Sequence, residues 1–106
     1  MRQYTTPEQT AKLVELGFEK PKGLADAEPS SGKWVREAYS IGELIEMLPP
    51  TITSIKGRDN FLLIEHFYNE FRVRYGGRHD LLLITDEELV DALCRMIFML
   101  KQYKLL

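Results

Sequence analysis

The chain has 106 residues, a formal net charge of −2 at pH 7 and 44% hydrophobic residues. These values are typical of one globular α+β domain over residues 1–106 and exclude wholesale disorder. The slight negative charge does not favour nucleic-acid binding, and the single cysteine excludes an intrachain disulfide.

The first predicted helix begins close to the amino terminus. Thr6 is a suitable N-cap, Pro7 is favoured at the first helical position, and Gln9 occupies the third. An apolar side follows, and Gly17 is a natural stop. We expect about ten helical residues, which must pack on the core because so short a helix is unstable alone. Residues 20–33 are rich in Pro, Gly and Ser and predict a surface loop, with a mobile binding loop as the alternative.

A second helix is predicted from Ser40, which forms a capping box with Glu43. Tyr39 and Leu44 are spaced for a hydrophobic staple across the helix start. The pair Pro49-Pro50 ends the helix, because proline lacks a backbone donor and restricts the residue before it.

Between residues 51 and 84 the apolar pattern moves towards a period of two, which predicts strands. We place three antiparallel strands at 51–56, 61–68 and 71–75. A turn at Asn69-Glu70 pairs Tyr68 with Phe71 and places Glu65 opposite Arg74. One face then carries Ile64, His66, Tyr68, Phe71, Val73 and Tyr75, and the other carries Glu65, Phe67, Arg72 and Arg74. Residues 80–84 form either a fourth strand or a buried lead-in to the last helix.

Residues 85–106 predict a long apolar helix around which the other elements pack. Thr85 and Glu88 have the spacing of a capping box, and Lys101 and Lys104 complement the helix dipole at the other end. The predicted fold is therefore α+β: two N-terminal helices, an antiparallel sheet of three or four strands, and a long C-terminal helix packed on the sheet.

Residues able to carry out chemistry are few. The two histidines, His66 and His79, lie thirteen positions apart in different predicted surroundings. No motif brings them together with Cys94 into the three or four ligands of a zinc site. Gly76-Gly77 lacks the helix and lysine of a phosphate-binding loop. We therefore expect no catalytic residue, no metal and no cofactor.

Two surfaces are candidates for binding. On the last helix Phe98 lies away from the main apolar stripe, and Cys94 and Arg95 are its expected neighbours. Phe98 is either covered by the N-terminal region or exposed as a protein interface, for a partner or for self-association. The alternative surface is the basic outer face of the sheet, where Arg72, Arg74 and Phe67 would contact nucleic acid.

The sequence resembles a group of short uncharacterised proteins from prophages and mobile elements of gut bacteria. The similarity lies in residues 6–9 (TPEQ), 39–49 (YSIGELIEMLP) and 88–93 (ELVDAL). It covers most of the chain except residues 20–33 and implies a context rather than a mechanism. We predict a small non-enzymatic interaction or accessory protein, with a nucleic-acid-binding module as the alternative. Without an apolar span or a secretory signal, we expect it to be soluble and cytoplasmic, with no membrane partner.

Overall fold

The computed structural model describes residues 1–26, 35–53, 57–77 and 80–106. Within these ranges the elements follow in the order α1 (Pro7–Glu15), β1 (Gly23–Asp26), β2 (Val35–Ala38), α2 (Ile41–Met47), β3 (Thr51–Thr53), β4 (Asp59–Phe67), β5 (Glu70–Gly76), β6 (Asp80–Asp86) and α3 (Leu89–Gln102). The fold is α+β, with α3 packed on an antiparallel sheet, as the sequence predicts.

The two short helices begin at the capping boxes that the sequence predicts. In α1 the Thr6 hydroxyl accepts the Gln9 N–H at 3.2 Å, and the Gln9 side chain accepts the Thr6 N–H at 2.9 Å. In α2 Ser40 and Glu43 make the same reciprocal pair, with both distances 3.2 Å. Gly17 follows α1 with a φ of 99°, a conformation that glycine adopts without steric cost.

The prediction of two N-terminal helices joined by a loop is partly wrong, because a pair of strands separates the helices. β1 and β2 form a two-stranded antiparallel ribbon in which Gly23 pairs with Ala38 and Asp26 with Val35. The predicted loop at residues 20–33 therefore contains a strand over Gly23–Asp26, and its remainder from residue 27 lies outside the described residues.

The main sheet has four strands in the order β3-β4-β5-β6, all antiparallel, and residues 80–84 belong to its fourth strand. The predicted β4–β5 register is wrong by two positions, since the turn falls at Tyr68-Asn69 and His66 pairs with Phe71. A shift of two leaves each side chain on its predicted face. Only Tyr68 leaves the apolar face, because it occupies the turn. Of the predicted first strand, β3 covers Thr51–Thr53, and residues 54–56 lie outside the described part.

The last helix begins four residues later than its predicted cap. Thr85 pairs with Arg72 in the sheet, so it is a strand residue, and the predicted capping box with Glu88 is wrong. Glu88 occupies the N-cap position without a side-chain cap. Its own N–H instead donates to the Asp86 carboxylate at 3.0 Å, which closes the turn between β6 and α3.

The core lies between α3 and one face of the sheet. α3 buries its apolar side against β5, β6 and α2. The face of the sheet that meets it presents alternate residues, among them Ile52, Val73, Tyr75 and Ile84, all of which are buried. We call this the core face and the opposite side the outer face. In the described part of the chain, no helix has both the length and the apolar character to cross a membrane.

The segment before α1 contacts the start of α2 and the first turn of α3. Tyr4 forms an isolated bridge with Ser40, and the buried Thr5 exchanges two hydrogen bonds of 3.0 Å with the backbone of Tyr39. Arg2 forms an ion pair with Asp91 in the first turn of α3. The N-terminal residues are therefore part of the folded structure.

Candidate interaction surface

The outer face of the main sheet carries a group of exposed apolar side chains. Strand alternation places Phe61, Leu63 and Leu83 there, since Asn60, Leu62, Leu82 and Ile84 turn towards the core face. Leu81 lies where the β5–β6 pairing shifts register, and its side chain is 43% exposed. Phe61 is 53% exposed and Leu83 45% exposed. We call the apolar patch the four residues Phe61, Leu63, Leu81 and Leu83.

The patch residues lie on β4 and β6, on either side of β5. Leu63 on β4, Arg74 on β5 and Leu83 on β6 are cross-strand neighbours in one row. The Arg74 guanidinium turns towards the next row, where its Nε donates to the Glu65 carboxylate at 2.7 Å. Arg74 therefore separates the two leucines at the backbone, while its charge is held by Glu65 at the border of the patch.

Beyond that border the outer face becomes polar. The Arg72 guanidinium lies 4.4 Å from the centre of the Phe67 ring, a cation–π contact, and 3.8 Å from the Glu70 carboxylate. Its Nε is buried and has no hydrogen-bond partner among the described residues. The predicted nucleic-acid residues Arg72, Arg74 and Phe67 are thus brought together on one face, in company with two glutamates.

Phe98 is half-buried, because α1 covers part of it. The Lys12 ammonium lies 4.2 Å from the centre of the Phe98 ring. The remaining opening is a shallow cleft of about 350 Å³ lined by Lys12, Leu16, Phe98, Lys101 and Gln102. Of the two alternatives for Phe98, partial cover by the N-terminal region is the one observed.

The residues predicted beside Phe98 do not form a surface with it. Cys94 is fully buried in the core and offers no area to a partner. Arg95 is exposed but is used locally, since its guanidinium donates to the Thr85 carbonyl at 3.1 Å and to the Asp86 carboxylate at 3.3 Å. The sequence places Phe98, Cys94 and Arg95 near one another along the helix, yet the fold assigns each to a different environment.

The Cys94 thiol is protonated at neutral pH. Its pKa is raised to about 12, mainly by burial and also by the Asp91 carboxylate, while the Arg2 guanidinium opposes the rise. A buried, protonated thiol is a poor nucleophile, because the thiolate is the reactive form.

The histidines do not come together with other chemical groups in the described structure. His66 is exposed, and its ring stacks on Phe71 with the centroids 4.2 Å apart and the planes 9° from parallel. His79 lies outside the described residues. Among the residues that are described, no three His, Cys, Asp or Glu side chains are grouped so as to hold a metal ion.

A second cavity, of about 300 Å³, lies between the end of α1 and α2, and its lining residues are Phe18, Glu19, Lys20, Lys22, Tyr39, Glu43, Glu46 and Met47. Its central polar groups are already paired: the Tyr39 hydroxyl donates to the Glu19 carbonyl, and the Glu43 carboxylate accepts the Lys22 N–H at 3.1 Å. Burial, with a smaller contribution from Glu43, raises the pKa of Tyr39. These groups hold the N-terminal elements together.

Sequence reasoning missed the apolar patch, although part of its signal was present. Once Ile64 and His66 are assigned to the core face, strand alternation requires Phe61 and Leu63 to point outwards. The outward position of Leu81 and Leu83 could not be predicted, because residues 81–84 are four apolar residues in a row without alternation.

Comparison of the chain with protein-family models, with curated proteins and with solved structures found no match.

Proposed function

We propose that this chain is a small non-enzymatic interaction protein that docks another protein on the outer face of its sheet. The observation that carries the proposal is the apolar patch, four large side chains on one face with exposed fractions of 37% to 53%. At about 150–250 Å² for a large side chain, these fractions sum to roughly 300 Å² of exposed apolar surface on one face, comparable to the patches on monomers that are often functional.

The composition of the face supports a protein partner. Interfaces between proteins combine a central apolar area with a polar rim, and aromatic residues and arginine are enriched in them. Here Phe61 and the leucines form the apolar area, while Phe67, Arg72 and the Arg74–Glu65 ion pair lie along one side of it.

The alternative of a nucleic-acid module receives less support from the same face. Arg74 is paired with Glu65, and Glu70 lies beside Arg72. Two arginines and two glutamates give this area no net charge, whereas a phosphate backbone favours a strongly positive surface.

Photocrosslinking tests the proposal in cells that naturally express the protein. A benzophenone amino acid replaces Phe61 in the patch, and in a matched control it replaces Tyr103, an aromatic residue of similar exposure at the end of α3. We expect protein adducts from position 61, a strong loss of them when Leu83→Lys is added, and few from position 103.

Equal adducts from both positions, or none from position 61, would contradict the proposal. Salt-sensitive binding to short DNA or RNA that Arg72→Ala with Arg74→Ala weakens would instead support the nucleic-acid alternative.

A further inference from the structure

We infer that the partner on the outer face is a second copy of this chain, held face to face by a two-fold axis that passes through the apolar patch. The two sheets would form the middle of the dimer and the α3 helices its outer layers. This inference rests on the proposed function, because it names the partner of the same surface.

The face has the area of a small but specific interface. Strands of seven to nine residues in β4, β5 and β6 give a footprint of roughly 25 by 15 Å, from about 3.3 Å per residue and about 4.8 Å between strands. Allowing for side-chain relief, two copies would bury on the order of 1,000 Å² in total, the lower limit of a specific interface. We therefore expect a dimer that dissociates in the micromolar range rather than an obligate one.

The charges beside the patch are self-complementary. A two-fold interface brings the same surface of both copies together, so a face with charges of one sign would repel itself. The polar part of this face holds Glu65, Glu70, Arg72 and Arg74, two of each sign. Arg72 is the least satisfied of them, since its carboxylate neighbour is 3.8 Å away and its Nε has no acceptor among the described residues. A carboxylate from the second copy would pair with the exposed part of the Arg72 side chain, of which 42% is accessible.

The face is also more open to association than the β6 edge of the sheet. Strand edges pair readily with other chains unless charge or cover protects them. Antiparallel pairing of two β6 strands about Leu83 would place Asp80 of one copy opposite Asp86 of the other. In addition, the Thr85 carbonyl already accepts the Arg95 guanidinium. On the face, Arg74 between Leu63 and Leu83 is already paired with Glu65, so its charge does not repel a second copy of the patch.

Sedimentation velocity on the purified full chain, from about 1 to 500 μM, tests the inference. We expect the mass to rise from one chain to two with concentration. Leu63→Lys and Leu83→Lys should each raise the dissociation constant at least tenfold. Ile45→Lys on α2 is the matched control, since Ile45 and Leu63 are both 37% exposed, and it should leave the dissociation constant unchanged. Circular dichroism confirms that each variant is folded.

A charge exchange tests the rim separately. Arg72→Glu should weaken the dimer about three- to tenfold, because it makes three of the four rim charges negative. The double variant Arg72→Glu with Glu70→Arg restores two charges of each sign and should recover most of that loss.

Two results would overturn the inference: a chain that stays monomeric over the whole concentration range, or a dimer that Leu63→Lys and Leu83→Lys leave intact. Neither removes the proposed function by itself. If position 61 still crosslinks to a different protein in cells while the purified chain is monomeric, the outer face is an interaction surface and only the identity of its partner is wrong.

Discussion

The buried thiol of Cys94 should make the protein lose stability in alkaline solution. Its side chain has no exposure in the core, and its pKa is raised from 9.0 to about 12. Between those values the unfolded chain has released the Cys94 proton while the folded chain retains it. Because the unfolded state then binds fewer protons, the free energy of unfolding falls as the pH rises.

The size of this loss follows from the pKa difference. One pKa unit corresponds to about 1.4 kcal/mol. At pH 11 the thiol is about two units above its unfolded pKa and still below the folded one, so it removes about 2.5–3 kcal/mol. The effect is absent below pH 9 and complete above pH 12. Tyr75, whose pKa burial raises to about 12 from 10.0, adds a further loss that begins near pH 10.

Comparison with Cys94→Ala isolates the thiol, since Tyr75 and every other group titrate in both proteins. Urea unfolding followed by circular dichroism, with a reductant present, gives the free energy of unfolding at pH 7.5, 9.5 and 11. At pH 7.5 the wild type should be the more stable by about 1 kcal/mol, because the variant loses buried volume. At pH 11 we expect the order to reverse. Curves that stay parallel across this range would refute the reasoning.

Two backbone positions give further predictions, both measured by urea unfolding at neutral pH. Tyr68 is 99% exposed and has a φ of 51° in the β4–β5 turn. Tyr68→Gly should stabilise the protein by about 0.5–1 kcal/mol, because the relief of left-handed strain exceeds the larger entropy that glycine loses on folding. A loss of stability would show instead that the tyrosine ring contributes to the folded state. A Cβ on Gly23 would lie 2.9 Å from the Ala38 carbonyl oxygen, so Gly23→Ala should cost about 1–3 kcal/mol. Gly42→Ala is the control, because a Cβ there would lie 3.8 Å from its nearest neighbour, the Ser40 hydroxyl oxygen. It should be neutral or slightly stabilising. Equal effects at the two glycines would contradict the close approach at Gly23.

The parts of the fold that depend on nearby residues were predictable from the sequence. The boxes at Thr6 and Ser40 each close within three residues, so their geometry is local and both predictions are confirmed. Thr85 shows the limit of the same rule. It has the correct spacing to Glu88, but pairing with Arg72 across the sheet holds it in an extended strand. At Thr85 the strand pairing of the tertiary structure therefore overrides the local capping signal.

The β4–β5 hairpin shows which feature of a strand survives an error of register. The position of the turn was wrong, yet the assignment of Ile64 and Val73 to the core face is confirmed, because that assignment depends only on whether positions are odd or even. The β1–β2 ribbon could not be predicted in the same way, since its pairing joins Gly23 to Ala38 across a segment of loop-like composition.

The candidate surface was harder to predict than the fold. The exposure of Phe98 depends on how α1 is placed against α3, and no local pattern gives the position of Lys12 over its ring. Similarly, the strand register places Phe67, Arg72 and Arg74 on the outer face as predicted, but the neighbouring Glu70 and the apolar patch were not predicted there.

The order in which the chain is made adds a consequence for folding. The Arg2 ion pair to Asp91 and the packing of α2 on α3 join residues that are synthesised well apart in time. α1 and α2 are too short to persist alone, so they wait for α3 before they can bury their apolar sides. During that interval the β4–β5 hairpin lacks its helix and exposes apolar residues on both faces. The nascent chain is therefore most prone to aggregation, or to binding by a chaperone, before α3 covers this hairpin.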